Sequence, residues 1–140
     1  MAQWIGIEIA ELIERGREFL GAATEDRLGV EEKARVFLDV SDGTCRAGVL
    51  GLAMIARAGD PRTAVHRWVL AAGAPSAHKL EAAAEILGIP VALARMIELN
   101  HRNGVTAAAI ARGMRAGTLG IRMTSPMPLR LATVGKAAAA

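Results

Sequence analysis

Aromatic side chains are scarce in this 140-residue chain, which has two Trp, two Phe and no Tyr. Hydrophobic residues nevertheless make up 52% of the sequence and charged residues 22%, as in a globular protein rather than a disordered one. The core must therefore be built from Ala, Leu, Ile, Val and Met. Because small side chains let helices approach closely, this composition favours helix packing over a β-sandwich. At this length we expect one folded core that needs no disulfides.

Apolar spacing and capping residues predict six or seven helices and no strand of convincing length. The predicted helices cover about residues 3–23, 30–40, 45–58 and 61–72, a stretch from the Ser76 N-cap to 87, and then 90–100 and 106–115. The start of the fourth predicted helix is marked by Asp60 as N-cap and Pro61 as first helical residue. We interpret residues 41–44 (Ser-Asp-Gly-Thr) as the turn that ends the second.

The third predicted helix is apolar on nearly every side, with Gly48 and Gly51 among its larger residues. Such a helix is usually the buried centre of a bundle. Because Gly costs about 1 kcal/mol relative to Ala inside a helix, two glycines predict a close approach of neighbouring backbones.

The pattern fails after Gly117, where Pro126, Pro128 and four terminal alanines follow. We therefore predict an all-α protein, with a compact helical bundle over residues 1–117. Residues 118–140 are predicted to form a basic, apolar C-terminal tail that is extended or disordered.

No acidic residue follows His101, whereas six basic ones do: Arg102, Arg112, Arg115, Arg122, Arg130 and Lys136. The formal charge of the whole chain is +3, so residues 1–100 must sum to −3. A basic end on a mildly acidic body indicates an acidic partner, and nucleic acid is the first to test.

Residues 80–97 resemble a helix-turn-helix, in which two helices must cross closely around a free turn. The small and apolar positions that match its packing are Ala84, Gly88, Ile89, Ala94 and Ile97. The second helix, about residues 90–100, offers little for reading bases, because its only charged residues are Arg95 and Glu98. An ordinary helix pair in an alanine-rich bundle is the alternative, and Arg95 is a candidate contact to a partner.

Residues 100–106 form the most polar loop of the chain. One hypothesis is that Asn100, His101, Arg102 and Asn103 project hydrogen-bond donors toward a phosphate or a partner carboxylate. The alternative is a plain corner between two helices, with residue 104 (Gly) in a left-handed conformation and residue 106 (Thr) as an N-cap.

Two short motifs carry a family resemblance: residues 42–50 (DGTCRAGVL) and residues 97–106 (IELNHRNGVT), the latter followed by Ile110. Together they resemble a group of small uncharacterised phage and bacterial proteins, over about residues 30–115. Those proteins have a Cys–small–Gly–Leu helix start and a later Asn-Asp–Gly–Thr–Ile corner. This chain departs from the pattern at His101, where Asp is usual, and at Arg46. The resemblance implies a helical fold and an origin in a phage or mobile element.

Catalysis is not predicted, although an activity based on Cys45 stays open. At a helix start beside Arg46, this thiol would have a lowered pKa, and His66, His78 and His101 are conceivable bases. The alternative is a small buried hydrophobe. The histidines lie 12 and 23 residues apart, without the spacing of metal ligands on one helical face, so we predict no metal and no cofactor. One cysteine allows no internal disulfide, and no membrane or leader segment is evident, which predicts a cytoplasmic protein.

Two functional hypotheses follow. The first is a non-enzymatic nucleic-acid-associated protein of phage or mobile-element type, in which the helix-turn-helix-like segment and the basic C-terminal region contact phosphates. The second is a protein–protein interaction module, a homo-oligomer or a subunit of a virion-like assembly that docks through Leu129, Leu131 and Val134. The mean hydropathy of +0.29 supports the second. Neither requires a membrane.

Overall fold

The computed structural model describes residues 2–74 and 78–117. Within these residues, one helix is followed by three strands and then by five helices. The helices are α1 (Ala2–Arg17), α2 (Val49–Ala58), α3 (Pro61–Ala72), α4 (Leu80–Leu87), α5 (Val91–Arg102) and α6 (Ala107–Ala116). The strands are β1 (Gly29–Glu32), β2 (Leu38–Ser41) and β3 (Thr44–Ala47).

The three strands form one small mixed sheet in the order β1-β3-β2. β3 pairs parallel to β1, with Val30 opposite Cys45, and antiparallel to β2, with Val40 opposite Cys45. A two-residue turn joins β2 to β3, and both of its residues have positive φ, 54° at Asp42 and 75° at Gly43. This is the turn geometry that matches the natural twist of a β-hairpin.

The prediction of an all-α protein is therefore wrong. The predicted helix over 30–40 is instead β1, a connection and β2, and the predicted helix start at Cys45 is instead β3. The apolar spacing of this stretch suited a helix, but Asp42-Gly43 closes a hairpin, and the residues on either side of this turn pair as strands. Arg35 itself adopts a φ of 74°, which no helix contains.

The helices predicted near 61–72, 90–100 and 106–115 are confirmed, and α3 matches to the residue. α1 ends at Arg17 rather than near 23, because Gly21 leaves the helix and exchanges two backbone hydrogen bonds with Val30 of β1, at 3.0 and 2.9 Å. α4 begins at Leu80, with Lys79 in the N-cap position. The predicted Ser76 cap and the predicted tail over 118–140 lie outside the described residues.

α2 is the buried centre of the fold, as predicted, and each residue from Val49 to Ala56 is buried. Close backbone approach is also confirmed, although the neighbour is the hairpin rather than a helix. A Cβ atom at Gly51 would fall on the carbonyl oxygen of Phe37, far inside van der Waals contact, and one at Gly48 would meet that of Val36. These glycines let α2 lie directly against the chain that enters β2.

The remaining helices complete the core around α2. α1 packs against α2 and α6, while α3, α4 and α5 each contact α2. Phe37 and Trp68 make an edge-to-face contact with their ring centroids 5.3 Å apart, and both are buried. No helix in the part described is both long and apolar enough to cross a membrane.

Candidate functional site

The helix pair α4–α5 forms with the packing that the motif predicts. Ala84, Ala94 and Ile97 are buried, and Gly88 in the turn adopts a left-handed conformation with φ 70°. The Ile89 amide donates to the carbonyl oxygen of Ala84 at 3.0 Å and so closes the end of α4. One side of α5 in this pair is exposed to solvent.

The outward side of α5 carries Arg95, Leu99 and Arg102, which recur at helical spacing. Arg102 donates to the Glu98 carboxylate at 2.8 Å, so its charge is locally balanced. Arg95 is exposed, and no carboxylate among the described residues pairs with it. Of the basic side chains on this helix, Arg95 therefore has the more available charge.

A groove of about 260 Å³ opens beside these residues. Its apolar and aromatic walls come from Phe37, His78, Leu80 and Leu99, and its charged rim comes from Arg95, Glu98 and Arg102. The rings of Phe37 and His78 lie 5.6 Å apart at an interplanar angle of 53°. Phe37 is buried and forms the floor, whereas His78 is exposed at the edge. The fold thus brings an exposed aromatic ring next to two arginines.

The polar loop after α5 is tied into the protein rather than projecting from it. Asn100 is buried, and its side-chain amide donates to the carbonyl oxygen of Met96 at 2.9 Å. Gly104 has the predicted left-handed conformation, with φ 101°. Thr106 caps α6 by accepting from the amide of Ala109 at 3.1 Å, also as predicted. Asn103, at the end of α5, is exposed.

His101 is buried and links three elements. Its Nδ1 accepts from the backbone N–H of Val49 at 3.3 Å, at the N-terminus of α2. Its Nε2 lies 2.8 Å from Oε2 of Glu32, and the same oxygen accepts from the N–H of Ala107 at 3.0 Å, at the start of α6. Since Nδ1 must be an acceptor here, the proton sits on Nε2 and is donated to Glu32. Glu32 and His101 thus cap two helices at once.

Cys45 is fully buried on β3. The prediction that it begins a helix is therefore wrong. Burial, with a smaller contribution from the Asp39 carboxylate, raises the pKa of this thiol to about 11. The neutral thiol therefore predominates at physiological pH, opposite to the lowered pKa that a helix start and Arg46 would give. Arg46 lies 3.8 Å from the Asp39 carboxylate.

Of the basic residues that follow α5, Arg112 and Arg115 lie on α6 and the others lie outside the described residues. Arg115 makes two hydrogen bonds to Glu14 of α1, at 2.9 and 2.7 Å, and this pairing lowers the pKa of Glu14. Arg112 is exposed, with no ion pair among the described residues. The remaining three lie outside the described residues: Arg122, Arg130 and Lys136.

Charge is divided unevenly along the chain. Arg122, Arg130 and Lys136 account for the whole formal charge of +3, because residues 1–117 hold fourteen basic and fourteen acidic side chains. Several of the body's cations are also paired: Arg46, Arg102 and Arg115 each face a carboxylate. The folded body is formally neutral.

Sequence reasoning missed three members of these sites. Glu32 and Phe37 both lie in the stretch 30–40, which was predicted to be a helix and to which no functional role was assigned. His78 drew notice as a conceivable base, not as an aromatic wall. The Asp42-Gly43 turn was the signal that could have placed Glu32 and Phe37 on strands, whereas no local pattern pairs Phe37 with His78.

No metal site is evident in the described ranges, where no group of three or more His, Cys, Asp or Glu side chains could hold an ion. Comparison of the chain with family models, curated proteins and solved structures gives no match.

Proposed function

We propose that this protein is a non-enzymatic nucleic-acid-associated protein of phage or mobile-element type that acts in the cytoplasm. Phosphate contacts would come from Arg95 and Arg112 on the body and from the basic C-terminal residues: Arg122, Arg130 and Lys136. The division of charge carries the proposal. A formally neutral body followed by 23 residues with three cations and no acid supports an electrostatic contact through that region.

The helix-turn-helix-like pair has a smaller part in this proposal. The outward side of α5 offers Arg95 and Leu99, and the exposed residue near its start is Ala92. Specific base readout in a groove needs Arg, Asn, Gln or Ser at such positions. Binding would therefore rest on phosphate contacts and be largely independent of sequence.

The test is fluorescence polarisation with a labelled oligonucleotide at low salt. We expect the full chain to bind, and the triple variant Arg122→Ala, Arg130→Ala, Lys136→Ala to lose most of the affinity. A matched triple variant removes the same charge from exposed positions of the body: Lys33→Ala, Arg62→Ala and Arg67→Ala. That control should keep affinity within about threefold. Absence of binding by the wild-type protein, or equal losses in both variants, would overturn the proposal.

A second function is supported by the apolar residues of the same region, Leu129, Leu131 and Val134. Among the side chains of residues 6–74 and 78–117, the exposed large hydrophobic ones are Val40 and Leu70, so this part of the chain offers little apolar surface for assembly. A docking module or oligomer would therefore use residues 118–140. Light scattering with and without nuclease separates the two functions. A particle whose mass exceeds the monomer and resists nuclease supports assembly, whereas a nuclease-sensitive mass supports nucleic-acid binding.

A further inference from the structure

The groove beside α5 combines an aromatic wall with positive charge. His78 is exposed, and its ring lies against Phe37, which is held in turn by Trp68 in the core. The ring wall therefore has a rigid base behind it. Leu80 and Leu99 complete an apolar lining next to the exposed guanidinium of Arg95.

The two arginines of the rim lie on the same face of α5. Arg95 and Arg102 are seven residues apart, which corresponds to two helical turns and about 10 Å along the axis. Leu99 lies between them and contributes to the groove. The ion pair with Glu98 holds the Arg102 side chain on this face of α5.

We infer that this groove takes an unpaired base of single-stranded nucleic acid, which stacks on His78 while Arg95 and Arg102 contact the flanking phosphates. This inference rests on the proposed function and names the form of nucleic acid that the site prefers. Aromatic rings beside basic side chains are the usual means by which proteins hold single strands without reading their sequence.

The shape and charge of the groove favour a single strand over a duplex. A volume of about 260 Å³ accommodates one ring system, and a base within a duplex is stacked and paired, so it cannot enter. Arg95 has no carboxylate partner among the described residues, so a phosphate would meet an available charge. A neutral or cationic occupant of the rim is less suitable than a polyanion for this reason.

The test compares three probes on the full-length protein: a labelled oligothymidylate, an abasic strand of equal charge, and a duplex of equal length. We expect the wild-type protein to bind oligothymidylate about tenfold more tightly than the abasic strand. His78→Ala should remove this difference by weakening oligothymidylate binding about tenfold, and His78→Phe should restore it. Arg95→Ala should weaken binding to both single strands, since their charge is the same.

His66→Ala is the matched control, because His66 is an exposed histidine on α3 that does not line the groove. Thermal unfolding of each variant verifies its fold. If the wild-type protein binds none of the probes at low salt, the proposed function itself fails. If it binds but His78→Ala leaves the preference for oligothymidylate over the abasic strand unchanged, the groove inference is overturned while the proposed function stands.

Discussion

Glu32 and His101 join the sheet to the helices with two side chains. The imidazole caps α2, the carboxylate caps α6, and the two are hydrogen-bonded to each other. The N–H groups of Val49 and Ala107, which have no partner within their own helices, are each satisfied by a side chain distant in sequence.

Removing the imidazole should therefore destabilise the fold. His101→Ala leaves the Val49 amide and the Glu32 carboxylate each without a partner, and we expect a loss of about 2 kcal/mol or more in the free energy of unfolding. His101→Asn keeps an acceptor for Val49 but not the bond to Glu32, so it should cost about half as much. Chemical denaturation measures both, and equal losses would show that capping of α2 contributes nothing.

His101→Asp tests the pairing with Glu32. A second carboxylate would lie next to that of Glu32, and two like charges at this distance repel. We expect a larger loss of stability than in His101→Asn at neutral pH, with part of it recovered at acidic pH as a carboxylate takes up a proton. Denaturation at two pH values checks this, and a pH-independent difference between the two variants would contradict it.

The buried thiol of Cys45 should be chemically inert in the folded protein. Its pKa of about 11 and its complete burial leave almost no accessible thiolate at neutral pH. We expect alkylation by iodoacetamide to be slow in buffer and fast in denaturant, as mass spectrometry can follow. Rapid stoichiometric labelling of the native protein would contradict this and restore the case for a reactive cysteine.

The same pKa predicts a loss of stability in alkali. Burial raises the pKa of the Cys45 thiol from an ordinary value of 9.0 to about 11 in the folded protein, so the stability gained by keeping the thiol neutral is fully present below pH 9. It is lost as the pH rises toward 11, because the thiol ionises first in the unfolded chain. We expect a slope of up to about 1.4 kcal/mol per pH unit. Cys45→Ala should lack this slope, and the lysine titrations common to both proteins cancel in the comparison.

At the scale of elements, the hairpin and α2 determine the architecture. β3 leads directly into α2 through Gly48, and Gly51 on the first turn of α2 contacts the chain that enters β2. Sheet and central helix are therefore one packed unit. Phe37, which leads into β2, forms the floor of the groove, and its ring lies next to that of His78.

Substitutions at Gly51 and Gly43 distinguish a glycine that is needed for space from one that is needed for its backbone conformation. Gly51→Ala drives a methyl group into the carbonyl oxygen of Phe37, and we expect a loss of about 3 kcal/mol or more. At Gly43 nothing lies within 4 Å of an added Cβ, so Gly43→Ala suffers only from its φ of 75°. That strain should cost about 1 kcal/mol. Thermal or chemical unfolding compares them, and a larger loss at Gly43 would contradict this account of α2.

Local signals in the sequence were sufficient where they agreed with one another. α3 was predictable to the residue, because Asp60 caps it, Pro61 begins it and Gly73 ends it. The apolar run of α2 was recognisable as a buried helix for similar reasons. The prediction of the second helix was wrong although its apolar spacing suits a helix. The Asp-Gly turn that follows it joins β2 to β3 in a hairpin, and β1 pairs with β3. Contacts between distant residues, such as Phe37 with His78, left no local pattern.

At the scale of the whole molecule, the net positive charge comes from residues 118–140 of the sequence, whereas residues 1–117 are formally neutral. A body with equal numbers of acidic and basic residues would contribute little long-range attraction, so association should depend on residues 118–140. The groove would then act at close range, through one stacked base and two arginines. Long-range attraction and local contact would thus reside in different parts of one chain.

The most direct test is the salt dependence of binding to a single-stranded oligonucleotide. The six cations assigned to phosphate contacts predict a slope of log K against log salt of about −4.2, at about −0.7 for each contact. The six are Arg95, Arg102, Arg112, Arg122, Arg130 and Lys136. The triple variant Arg122→Ala, Arg130→Ala, Lys136→Ala should reduce the magnitude of this slope by about 2. An unchanged slope in that variant would contradict the account, because it would place the phosphate contacts on the neutral body.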